Sequence, residues 1–141
     1  MMFPTPSSIQ KSIGETKVDY VRLGSSGLRV SVPILGGMFI GHESWAPGIL
    51  GEEAAIELLK AAYDRGINTW DTANMYSNGV SEQIMGKALK KHSIPRHKVI
   101  IMTKCSEFVA EEPDVLSPAF GHVMGNTKDY VNQAGKTCHQ Y

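Results

Sequence analysis

The sequence predicts an α/β chain, in which short strands joined by helices form a parallel sheet with right-handed crossovers. Three observations carry that prediction. Strand-like and helix-like runs alternate from residue 32 to residue 102. The strand ends, marked by Gly37, Asp71 and Lys104, recur at intervals of 34 and 33 residues. Gly36-Gly37, Asp71 and Lys104 therefore share the C-terminal face of the sheet, where folds of this kind bind their ligands. The period suits either a (β/α)8 barrel or a doubly wound sheet.

Residues 1–17 are polar and contain Pro and Ser, which reads as a mobile leader. Two β-prone runs, Tyr20–Leu23 and Leu28–Val30, flank Gly24-Ser25-Ser26-Gly27 and predict a hairpin. Val32–Leu35 is an apolar strand ending at Gly36-Gly37. Over Gly51–Arg65, Ala55, Ile56, Leu59, Ala62 and Tyr63 recur at the spacing of one buried helix face. Glu52 and Glu53 suit the positive N-terminal end of that helix, and Gly66 suits its C-terminal stop. Ile67–Trp70 is the next strand and runs into Asp71.

Ser81 is placed to cap a second helix, whose buried side uses Ile84, Met85, Ala88 and Leu89. Lys90, Lys91 and His92 lie at its C-terminal end, and Pro95 follows. Val99–Met102 is a third strand leading into Thr103 and Lys104. The run CSEFVAEEPDVLSPAFGHVMGN then reads as a loop longer than the usual connection, of the kind that serves as a lid or binding loop. Thr127 is placed to cap a short helix through Asp129–Gln133, and GKTCHQY has no periodicity.

Composition narrows the class. Lys+Arg and Asp+Glu both count 14, so no net field favours nucleic acid or an anionic membrane. No run approaches the roughly 18 apolar residues of a membrane helix. The N-terminus lacks the apolar core of a secretory signal, so the expected address is cytoplasmic. Cys105 and Cys138 are too few for a disulfide framework, and Cys138 beside His139 has no second ligand pair, so no metal site is expected.

The chemistry concentrates in WDTANMYSNGVSE, from Trp70 to Glu82, and in IIMTK, ending at Lys104. Two successive strand ends bring a carboxylate (Asp71), a phenol (Tyr76) and an amine (Lys104) within reach of one another. A carbonyl that receives a hydride needs a proton nearly in step. A phenol is a weak donor unless an ammonium nearby favours the phenolate, and a carboxylate can hold that ammonium in place. Tyr76 then reads as the general acid, Lys104 as the group that tunes it and Asp71 as the group that orients Lys104. Each alone has a plainer reading as a turn residue, half-buried packing or a solvated charge. Three together at one sheet edge favour chemistry.

Over about residues 18–135 the chain resembles the N-terminal part of the aldo-keto reductase family. GLRVSVPILGG, the DTANMYSNGVSE block and the TK closing strand three match that family in order and spacing. The loop containing EEPDVLSPAFG is similar to that of fungal members related to aryl-alcohol dehydrogenases and versiconal hemiacetal acetate reductase. The resemblance implies a (β/α)8 barrel that uses NADP(H) to reduce a small-molecule carbonyl substrate. It implies a tetrad of Asp, Tyr, Lys and His, of which three map onto Asp71, Tyr76 and Lys104. It also places Gly36, Gly37, Met38 and Asp71 beside the nicotinamide, although Gly37 stands where Thr is usual and removes one hydroxyl.

The family's His follows a fourth strand, which here would lie beyond Gly135. His97, His122 and His139 do not occupy that context, and residues 136–141 diverge as a tail. A barrel of this class needs about 250 residues and eight strands; the expectation is a truncated barrel of a hairpin plus about three βα units. Such a sheet exposes an edge and strips Ile34, Ile67, Ile100 and Met102 of interior partners. The chain alone is therefore expected to be unstable, aggregation-prone or dependent on a partner, and catalytically inactive. The alternative is a non-catalytic remnant acting through association with another chain at the open sheet edge. A complete flavodoxin-like domain ranks last, because LGGMFIGHE is not a phosphate-binding glycine loop.

Overall fold

The computed structural model describes residues 4–105 and 109–116. Helix α1 (Ser7–Glu15) precedes a two-stranded antiparallel hairpin of β1 (Asp19–Arg22) and β2 (Arg29–Val32). Then follow β3 (Leu35–Gly36), α2 (Glu52–Asp64), β4 (Thr69–Asp71), α3 (Val80–Lys91) and β5 (Ile100–Met102). Strands β3, β4 and β5 form a parallel sheet in that order. The short helix expected after Thr127 and the divergent tail lie outside the described residues.

The core lies between this sheet and the two helices that cross over it. Trp70 is fully buried at its centre, among Ile56 and Leu59 of α2 and Ile84, Met85 and Ala88 of α3. Its indole N–H donates to Ile67 O at 3.0 Å, so the large ring is buried without an orphaned donor. Both helices bury the faces their 3.6-residue spacing predicts. Gly66, at φ +95, ends α2 in the left-handed conformation that glycine adopts without strain, and Ile67 N–H donates back to Ala62 O. Lys87–Glu52 at 2.7 Å and Lys91–Glu57 at 2.9 Å bridge α3 to α2 on the exposed side.

The hairpin seats against the start of β4 through one reciprocal contact. Ser31 N–H donates to Thr69 Oγ1 at 3.0 Å, and Thr69 N–H donates to Ser31 Oγ at 3.2 Å. Both residues are fully buried, so each hydroxyl satisfies a backbone donor that water cannot reach.

Three local expectations change. Residues 7–15, within the stretch read as a mobile leader, are helical, and none of the nine is buried. The run Val32–Leu35 is not one strand: Val32 closes β2, Pro33 has no N–H to give a ladder, and β3 is only Leu35–Gly36. Ser81 does not cap α3; Gly79 precedes that helix, and the Ser81 hydroxyl is buried and directed elsewhere. On the sheet face away from the helices Ile34 is 39% exposed, while Ile67, Ile100 and Met102 are half-buried.

Candidate active site

Register sets the site. Gly36 pairs with Asp71 and Asp71 with Met102, so the three strand ends lie in one line across the sheet. The ladder continues past the strands: Thr72 N–H donates to Met102 O at 2.7 Å and Asn74 N–H to Lys104 O at 3.0 Å. This holds the segment after Asp71 against Lys104. A turn closed by Tyr76 N–H on Ala73 O then brings the phenol back over the strand ends.

Lys104 Nζ is the hub. It donates to Asp71 Oδ2 at 2.7 Å, to Thr72 O at 2.9 Å and to Tyr76 Oη at 3.2 Å. It also lies 4.9 Å from the centre of the Tyr76 ring. Partial burial pulls the Lys104 pKa down, but the hydrogen bonds to Asp71 and Tyr76, with their charges, outweigh it and raise the pKa above 10.5. The ammonium is thus held charged against both partners while its side chain stays 45% exposed. The three residues expected to act together are together.

The four residues expected beside a cofactor are placed differently from one another. Gly36 is exposed, and a Cβ there would meet nothing within 4 Å. Met38 is exposed, and Asp71 is partly so. Gly37 is buried, and both of its backbone polar groups are used inside the protein. Its N–H donates to Asp71 O at 2.7 Å, and its carbonyl accepts from Ser81 Oγ at 2.9 Å. A Cβ at Gly37 would fall 2.6 Å from Met85 Cε and 2.8 Å from Asp71 O. This close approach is the physical reason that glycine suits position 37 in this chain.

Two features were not read from the sequence. Ser77 and Asn78 adopt φ of +50° and +52°, and Gly79 follows at +88°, which swings the chain from Tyr76 into α3. Ser77 Oγ accepts His42 N–H at 2.7 Å, docking the loop after β3 on the Tyr76 turn. Asn78 ties down the segment after Lys104: its amide donates to Glu112 O at 2.9 Å and Val115 O at 2.8 Å, and its Oδ1 accepts Ala110 N–H at 3.3 Å. The signal was present as a Ser-Asn-Gly run, because Asn and Gly tolerate left-handed backbone.

Residues 34–138 match the family model described as "Aldo/keto reductase family". The chain is 56% identical over 135 residues to the aldo-keto reductase dtxS3 of Metarhizium robertsii, a match covering 92% of this chain and 36% of that protein. It is 48% identical over 118 residues to the versiconal hemiacetal acetate reductase of Aspergillus parasiticus, covering 84% of this chain and 34% of that one. Among solved structures, the holo form of the aldo-keto reductase AKR11C1 from Bacillus halodurans superposes with a TM-score of 0.55 at 26% identity. That match covers 85% of this chain and 35% of the other. The chain thus spans about a third of the length of these relatives, and its hairpin and three parallel strands correspond to the opening part of their fold.

Proposed function

The chain belongs to the aldo/keto reductase family, and on that premise we propose that it supplies the proton-donating part of a site that reduces an aldehyde or ketone to an alcohol. The observation that carries this reading is Lys104 Nζ, within hydrogen-bond reach of both Asp71 Oδ2 and Tyr76 Oη. When bound, NADP(H) supplies the hydride to the carbonyl carbon. Tyr76 gives its phenolic proton to the carbonyl oxygen. The Lys104 ammonium stabilises the negative charge that develops on Tyr76 Oη as the proton leaves. Asp71 and the Thr72 carbonyl keep Lys104 aimed at the phenol. Gly36, Met38 and Asp71 would border the nicotinamide, with the open space over Gly36 leaving room for a flat ring. Gly37 acts there through its fixed backbone.

This assigns Tyr76 the proton donor's part and Lys104 and Asp71 the tuning pair's. Activity is expected where these groups meet the rest of the barrel. Mixing the chain with the part of the Metarhizium relative beyond the matched region, NADPH and a simple aromatic aldehyde tests this. Consumption of NADPH is expected from the mixture and not from either piece. A mixture that forms a complex but leaves NADPH unconsumed contradicts the reading.

A second reading is a non-catalytic chain that associates through its sheet edge. It is favoured by one observation: among the described residues β5 pairs only with β4, and beside it lies an apolar cavity of about 560 Å³ lined partly by Met85, Leu89, Ile94 and Ile101. Sedimentation of the chain alone separates the two: a stable self-complex that the barrel remainder does not displace favours this alternative.

A further inference from the structure

Behind the Tyr76–Lys104 pair lies a buried line of hydroxyl groups that the proton-transfer chemistry does not use. Thr72 Oγ1 donates to Ser81 Oγ at 3.1 Å, and Ser81 Oγ donates to Gly37 O at 2.9 Å. Thr72 and Ser81 are both fully buried. The line has an anchor at each end. At one end Gly37 N–H is bonded to Asp71 O; at the other the Thr72 carbonyl accepts from Lys104 Nζ. One set of contacts therefore ties the turn after β3, the end of β4, the first turn of α3 and the ammonium of Lys104.

We propose that Thr72 and Ser81 are positioning residues, a two-hydroxyl relay that fixes the Gly36–Met38 turn relative to Lys104 and so registers the cofactor side of the site with the proton-donor side. The relay rests on the proposed function only for what it serves; its geometry stands without it. Three physical points support it. A hydroxyl that both donates and accepts can link a carbonyl to a second hydroxyl across a junction too tight for water. Buried hydroxyls are costly unless bonded, so two of them in series at one junction specify a single arrangement of three elements. The junction also leaves no room for a side chain at position 37 without a shift, since a Cβ there would lie 3.0 Å from Ser81 Oγ and closer still to Asp71 O.

The relay explains why Ser81 is not a helix cap. Ser81 lies within α3 and is used sideways, toward β3. Thr72 does two things at once, its carbonyl holding Lys104 and its hydroxyl holding Ser81. A shift of the Gly37 turn is then felt at Lys104, which faces Asp71 and Tyr76.

The test uses the whole chain and two NMR readouts that need no ligand: amide exchange of Gly37 and the titration of the Lys104 side chain. Thr72→Val keeps the shape and removes the hydroxyl; Thr72→Ser keeps the hydroxyl. In Thr72→Val, Gly37 N–H is expected to exchange roughly five- to tenfold faster, as for loss of one buried hydrogen bond, while Ile101 N–H is unchanged. The Lys104 midpoint is expected to move down toward 10.5, the ordinary lysine value. Thr72→Ser is expected to restore both. Wild-type behaviour in Thr72→Val, or a Thr72→Ser that behaves like Thr72→Val, overturns the relay. Failure of the chain to support NADPH-dependent reduction with the barrel remainder counts against the proposed function and leaves these readouts intact.

Discussion

Gly37 and Asp71 are joined backbone to backbone, the Gly37 N–H donating to Asp71 O at 2.7 Å. The pair lies where β3 and β4 end, so the bond carries the sheet's register one step beyond the strands. Everything at the site is placed relative to it. The next residue, Thr72, receives Lys104, and the turn that follows returns Tyr76 to the same edge.

Glycine is required at only one of the two positions in that pair of glycines. Gly37→Ala puts a methyl against Asp71 O and Met85, and is expected to cost about 1–3 kcal/mol of stability, as for overpacking at a tight junction. Gly36→Ala adds a methyl to open space and is expected to change stability by less than about 0.5 kcal/mol. Urea unfolding of the two variants checks the contrast. Equal costs would show that Gly37 is not a close-approach residue.

Asn78 fastens residues 110–115 to the Tyr76 turn. Both Asn78→Ala and Asn78→Gly remove the amide and are expected to raise amide exchange at Ala110, where the donor loses its acceptor. Alanine also carries a Cβ at φ +52°, so Asn78→Ala should be less stable than Asn78→Gly by about 1–2 kcal/mol. Hydrogen exchange and denaturant unfolding of the pair separate lost contacts from backbone strain.

Charge on Lys104 ties stability to alkaline pH. Its folded pKa is raised, so its contribution is fully present below pH 10.5, the ordinary lysine value, and is lost as pH rises through the folded value. Lys104→Met should remove that alkaline loss. Glu57 behaves in the opposite sense. The hydrogen bond from Lys91 lowers its pKa below 4.5, so its contribution is present above 4.5 and lost as pH falls through the lowered value. Thermal melts of Lys104→Met and Glu57→Gln across pH test each sign separately.

Trp70 is the largest side chain fully enclosed in the core. Trp70→Ala is expected to cost about 3–5 kcal/mol, a large share of what any small domain has. Far-UV circular dichroism during urea titration gives the cost. A loss under 1 kcal/mol would mean that the helices do not pack on the sheet through this residue.

Much of this was legible because periodicity carries it. The α2 and α3 faces follow from helical spacing, and the strand ends marked at Gly37, Asp71 and Lys104 fall within two residues of those observed at Gly36, Asp71 and Met102; the meeting of Asp71 with Lys104 follows from parallel register. Pro33 was visible, yet its interruption of Val32–Leu35 was hidden by the apolar run around it. Ser81 looked like a cap because a serine at a helix start usually is one; only tertiary packing directs its hydroxyl to Gly37. Helix α1 buries none of its residues, and its apolar face is only Ile9 and Ile13, too few in a polar stretch to mark a helix. The Asn78 bonds join residues 32 to 37 positions apart, a distance that no local pattern encodes.

The most direct measurement is the rate of NADPH-dependent aldehyde reduction by the chain combined with the barrel remainder, comparing wild type with Tyr76→Phe. Phenylalanine keeps the ring and removes the proton. A fall of roughly 10²–10⁴-fold is expected, the usual worth of a positioned general acid. A Tyr76→Phe mixture within about threefold of wild type, a change of less than ~1 kcal/mol, would contradict it.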